Sequence, residues 1–203
     1  MGLLDLLRPK AKIADIAGLA DFLDRQSAFM VQKCIYEYAR ARSGLLSVKL
    51  LEEPAFREAA ERAKWRNYPL CLQSAALMVE GALRAESQRP DAMRAGLAEV
   101  VGRICRLYPP PADQPAHFWE EVRRDIADRL DRAGREPAQP VKDIPQETAR
   151  AFFANLPIHA DLRGYDFTLV TNNLRGNLCR AHDEFLAAAD RPALLRALAA
   201  EAA

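Results

Sequence analysis

An all-α fold, a single domain spanning residues 1–203 and built as a bundle of seven or eight helices, follows from three features of the sequence. Apolar residues recur at steps of three and four through most long segments, the period of a helix with one buried face. Proline and glycine fall between those segments and not within most of them. Half the residues are apolar and 28% are charged, with a net charge of +1, so the chain has an ordinary globular composition with enough apolar surface for one sizeable core.

Taken in order, Pro9 closes a leucine-rich opening, and Asp15 to Arg42 reads as one long helix or two nearly continuous ones, stopped by Ser43-Gly44. Apolar side chains cover most of its circumference, with Phe22, Phe29 and Tyr36 on one side and Met30, Val31, Cys34, Ile35 and Tyr38 round the other, which predicts a central position. Its one polar strip is Gln26, Lys33, Glu37 and Arg40, where Lys33 and Glu37 stand four apart and can pair. Leu45 to Leu51 is a short helical turn. Glu53-Pro54 opens a further helix with a face at Phe56, Ala59, Ala60 and Ala63. Pro69 is expected to start a new helix, because an interior proline removes a hydrogen bond and clashes with the preceding turn.

Leu70 to Leu83 is then a second buried helix, with Gln73, Glu80 and Arg84 as its only polar strip. Ala92 to Leu107 is amphipathic through Leu97, Val100, Val101, Ile104 and Leu107. Tyr108 to Pro111 must be extended. Glu120 to Arg132 alternates its charges and reads as a solvated outer helix. Residues 134–145 form the longest break and a sub-boundary of the domain. A short helix from Gln146 to Asn155 follows, then a turn at Leu156 to His159, the helix Phe167 to Phe185, and a closing helix after Asp190-Arg191-Pro192.

Composition and motifs exclude several functions. Near-neutral charge without a basic face argues against nucleic acid. No apolar run is long enough to cross a bilayer and the opening lacks a signal-peptide pattern, so a cytoplasmic location is expected. The opening segment, with Leu3, Leu4, Leu6 and Leu7 ahead of Arg8 and Lys10, is read as a packed or frayed terminus. Cys34, Cys71, Cys105 and Cys179 are widely spaced single thiols, read as small buried hydrophobes. His117 stands three before Glu120, but no set of metal ligands surrounds the pair. No metal and no cofactor are expected. Phosphate-binding loops, nucleophile elbows and zinc-protease motifs are all absent.

Attention falls on Leu156 to Leu186. On a helix, Phe167, Val170, Leu174, Leu178, Ala181 and Phe185 make one apolar stripe, and Thr168, Thr171, Asn172, Arg175, Cys179 and His182 run along its edge. Asn173, Arg180 and Glu184 fall further round. Polar groups at a core boundary need partners, since leaving one unpaired costs on the order of a few kcal/mol. Arg175 and the asparagines can tie loop carbonyls to the bundle, with Gly176 admitting a neighbouring backbone. Alternatively, Arg175, His182, His159 and Asn172 border a ligand pocket, which Glu37 and Lys33 join if their strip lines it.

The phrases KCIYEYARARSG, RNYPL, LPIHADLRGYDF and NLCRAHDEF resemble a poorly characterised family of small helical bacterial proteins, some of which carry an esterase label. That resemblance spans most of the chain and implies no particular catalytic residue. The leading expectation is a non-enzymatic binding or interaction protein whose partner is a protein or a small molecule. A homodimer through the Ala-rich face of Leu194, Leu195 and Leu198 is a subsidiary one. The competing expectation is a small esterase-like hydrolase with Glu37 or Glu80 as base beside His182, a hydroxyl from Ser27, Ser43, Ser47 or Ser74, or the neighbouring thiol of Cys179.

Overall fold

The structure, a computed structural model, describes residues 12–202. Expectations about the leucine-rich opening therefore lie outside the described residues. Helices α1 (Ile16–Ser43), α2 (Ser47–Glu52), α3 (Pro54–Arg84), α4 (Pro90–Cys105), α5 (Phe118–Arg135), α6 (Gln146–Ala154), α7 (Ala160–Arg163), α8 (Phe167–Ala188) and α9 (Arg191–Glu201) follow one another. Among the described residues there is no strand beyond a single bridge between Ile13 and Ala189. The fold is the all-α bundle that the apolar spacing predicts.

Helix α1 begins where Asp15 accepts a hydrogen bond from the Gly18 amide at 2.8 Å, and it stops at Gly44, whose φ of 52° favours a residue without a Cβ. It packs along α3, and α8 lies antiparallel across the pair. The core between them holds Phe22, Met30, Ile35, Leu72, Met78, Leu178 and Phe185. Helix α4 sits between α5 and α9, its Leu97, Val100, Val101 and Ile104 buried. Ile13 joins this frame at its start, donating to the Ala188 carbonyl and accepting from the Asp190 amide, both at 2.9 Å.

Helix α3 corrects the expected break at Pro69: one helix runs through it from Pro54 to Arg84. An interior proline costs about 3 kcal/mol. On either side of it Phe56, Ala60, Ala63, Tyr68, Cys71, Leu72 and Ala75 are buried, and each large apolar side chain removed from water contributes roughly 1.5–3 kcal/mol. Tertiary burial outweighs the local penalty.

Three further expectations are corrected. Leu107 lies past the end of α4 and is exposed, as are Phe29 and Tyr36 on α1. Gly176 admits no neighbouring backbone, since a Cβ built there would meet nothing within 4 Å. Leu194 and Leu198 are fully buried and Leu195 packs partly against the core, because α9 lies on α4 within the same chain. Two of the three leucines named for a homodimer face thus pack within the chain, and Leu195 stays partly exposed.

Candidate functional site

The polar strip of α1 meets α8 along the side away from His182. Gln26, buried, donates to Glu184 at 3.0 Å and accepts from Arg180 at 3.3 Å. Asn173 donates to Glu37 at 3.0 Å, and Lys33 pairs with Glu37 at 3.8 Å as the spacing predicts. Arg180 stacks over Phe29 at 4.4 Å, which gives that exposed ring a partner. Asn177 is satisfied within α8 by the Asn173 carbonyl at 2.8 Å. This seam is filled by its own side chains.

On the other side of α8, Arg175 donates to the Lys142 carbonyl at 2.8 Å and to Asp143 at 3.2 Å, fastening the 137–145 linker to the bundle. Asn172 is exposed. His182 has Asp183 at 3.8 Å, a carboxylate that points largely to solvent. His159 caps α7, accepting from the Asp161 amide at 3.4 Å, and is itself mostly exposed. The six residues singled out from sequence therefore divide between two sides of α8 and a distant cap.

Hydrolytic geometry requires a nucleophile, a base and an orienting group in hydrogen-bond reach. Ser27, Ser43 and Ser74 each donate to the carbonyl four residues earlier, at 2.6, 2.7 and 2.9 Å. Glu80 is buried and takes three hydrogen bonds from Arg84 at 2.7–3.2 Å, with Arg94 at 3.7 Å. The adjoining cavity, bounded by Glu80, Arg84, Arg129 and Glu136, is about 20 Å³, room for one water. Burial pushes the Cys34 thiol up to about 12 and Cys105 to about 11, and raises Cys71 as well. Among the described residues no hydroxyl or thiol is hydrogen-bonded to His159 or His182, and no three His, Cys, Asp or Glu side chains gather as metal ligands.

What stands open is the C-terminal end of α1. The turn and α2 after it expose Leu45, Leu46 and Val48, and α7, the turn beyond it and the start of α8 expose Leu162, Tyr165 and Leu169. Leu45 and Tyr165 are fully exposed. The two groups are held together through Arg42, which bonds to the Leu162 carbonyl and to Asp166 at 3.2 Å. Tyr38 adds a hydrogen bond to Asp166 at 3.0 Å, and its hydroxyl is pushed up to about 12 by burial first and by the neighbouring Asp166 second.

Arg163 fixes the shape of this loop. Its guanidinium donates to the carbonyls of Ile158 (2.7 Å), Phe153 (2.7 Å), Ala154 (2.8 Å) and Leu156 (3.1 Å). A cation at the end of α6 satisfies carbonyls that the helix leaves unpaired and meets the negative end of its dipole. Gly164 follows with φ 53°, a turn that a side chain would strain. Sequence reading passed over Arg163, Tyr165 and Leu169. The signal available was GLLSV directly after a helix stop and LRGYDF before a helix start, both apolar where a surface turn is usually polar.

An all-α bundle with exposed apolar side chains beside the C-terminal end of α1 is what fold and geometry define. No family model, curated protein or solved structure matches the chain.

Proposed function

We propose that this is a non-enzymatic interaction protein that binds a partner protein through the apolar end of α1. The observation carrying the reading is the grouping of Leu45, Leu46, Val48, Leu162, Tyr165 and Leu169, all exposed, at one end of the bundle. Scattered exposed leucines are ordinary, but two exposed apolar groups brought to one end of the bundle by the Arg42 bonds to Leu162 and Asp166 are the kind of surface that partners cover. Tyrosine and leucine presented on a fixed loop lose little entropy on docking. No helix among the described residues is long and apolar enough to cross a membrane. The four unpaired cysteines suit a reducing compartment such as the cytoplasm.

A photo-crosslinking residue placed at Tyr165 tests this in cells, with the same residue at Arg124 on the outer face of α5 as control. A discrete adduct at position 165 alone, reproduced with the purified partner and lost in Leu45→Glu, is the expected result. Equal labelling at both positions, or none at 165, overturns it. The esterase-like alternative is tested by p-nitrophenyl ester turnover; wild type and His182→Ala are expected to match the buffer rate.

A further inference from the structure

A groove of about 700 Å³ lies between α9 and the turn joining α3 to α4. Small-molecule sites typically measure about 300–1,000 Å³, so its size suits a ligand and not a single water. Glu86, Ser87, Gln88 and Arg89 form one wall; Pro192, Leu195, Arg196, Ala199 and Ala200 form the other. The second wall is fixed. Leu194 and Leu198 anchor α9 in the core, and a Cβ at Gly96 would collide with the Leu198 carbonyl oxygen, so α9 is seated directly on the α4 backbone.

Of the three charged side chains lining the groove, two are arginines. Glu86, its only carboxylate, is already paired with Arg191 at 2.5 Å. Arg89 and Arg196, one on each wall, form no ion pair among the described residues. The Ser87 hydroxyl oxygen accepts from the Arg89 amide at 3.3 Å, which leaves its own hydrogen free to donate. Apart from Arg196 the α9 wall is aliphatic, and the groove includes no aromatic ring on which a base or other planar group would stack. A guanidinium on each wall favours a carboxylate or phosphate head, and the Pro, Leu and Ala side chains of the α9 wall favour a saturated chain beside it.

The geometry points to a binding site for a small organic anion with an aliphatic chain, separate from the apolar end of α1. Decanoate, decanol and inorganic phosphate, titrated calorimetrically into the full-length protein, discriminate the parts of this assignment. Decanoate saturates one site per chain; decanol and phosphate each bind at least about tenfold more weakly, the size of a lost charge-assisted contact or a lost buried chain. Arg89→Gln/Arg196→Gln weakens decanoate by about tenfold or more, while Arg124→Gln on α5 changes it by less than about twofold. Leu45→Glu/Tyr165→Glu leaves decanoate binding intact, which separates this site from the partner surface. Failure of decanoate to saturate, equal affinity for decanol or phosphate, unchanged binding in the double arginine variant, or loss of binding in the Leu45/Tyr165 variant overturns the assignment.

Discussion

The Tyr108 hydroxyl stands 2.8 Å from each oxygen of the Asp24 carboxylate, joining the loop after α4 to the flank of α1. Tyr68 donates to the same carboxylate, and Trp65, Tyr68, Tyr108 and Trp119 pack together with centroids 5.2 to 6.1 Å apart, edge-on in four of their pairs and tilted in Trp65–Tyr68 and Tyr108–Trp119. The extended prolines serve this cluster too, since Trp119 donates to the Pro109 carbonyl at 3.1 Å.

Alkaline pH is expected to loosen that cluster. Burial, then the Asp24 hydrogen bond and charge, pushes Tyr108 up to about 12, and Tyr68 is raised for the same leading cause. An unfolded phenol loses its proton near about pH 10. Between the two values the folded state holds more protons, so the contribution is complete below about pH 10 and is lost as pH rises through 12. Urea unfolding measured from about pH 9 to 12 should show stability falling with pH. Tyr108→Phe should start less stable and fall less steeply.

Two helical glycines should respond in opposite directions. Gly96→Ala drives a methyl into the Leu198 carbonyl, and because the obstacle is backbone the seat of α9 must shift, at a cost of roughly 1–3 kcal/mol. Gly176→Ala meets nothing and gains helix propensity, stabilising by up to about 1 kcal/mol. Denaturant midpoints of the two variants check the pair; equal shifts would mean α9 is not held as described.

Periodicity disclosed the buried stripe of α8, since Val170, Leu174, Leu178, Ala181 and Phe185 are all buried. It did not disclose which edge of that stripe meets α1. A helical period identifies a face, whereas the flank a neighbour covers depends on how the neighbour is placed; here Asn173, Arg180 and Glu184 meet Glu37 and Gln26 while His182 faces away. Pro69 was misread for a related reason, its local penalty being visible in sequence and the compensating burial on both sides not. Arg163 was missed because its four acceptors are backbone carbonyls, which carry no signature in residue identity.

Removing the Glu80 carboxylate should be among the most damaging substitutions. Arg84 donates to both of its oxygens and the buried Arg94 lies 3.7 Å away, and breaking one partner of a buried ion pair costs about 3–5 kcal/mol because the remaining charge is left largely out of water. Glu80→Ala should therefore lower the thermal midpoint sharply. Glu58→Ala, which removes an exposed i,i+4 pair with Arg62, should change stability by less than about 1 kcal/mol.

Arg163→Lys should leave the bundle folded and release its apolar end. An ammonium keeps the charge near the end of α6 but cannot span four carbonyls lying in different directions, as the planar guanidinium does. Carbonyls freed at Phe153, Ala154 and Leu156 turn to water, and the loop carrying Leu162 and Tyr165 loses the frame that Gly164 bends within. Amide exchange should accelerate from Leu156 to Asp166 and stay unchanged in α3 and α4, which among the described residues share no hydrogen bond with this segment, the nearest being from the preceding Asn155 to Asn67 at 3.1 Å. Local release with an unaltered global midpoint is the expected pattern. Cooperative loss of the whole fold would show instead that Arg163 supports the core, and that the end of α1 is not an independently positioned surface.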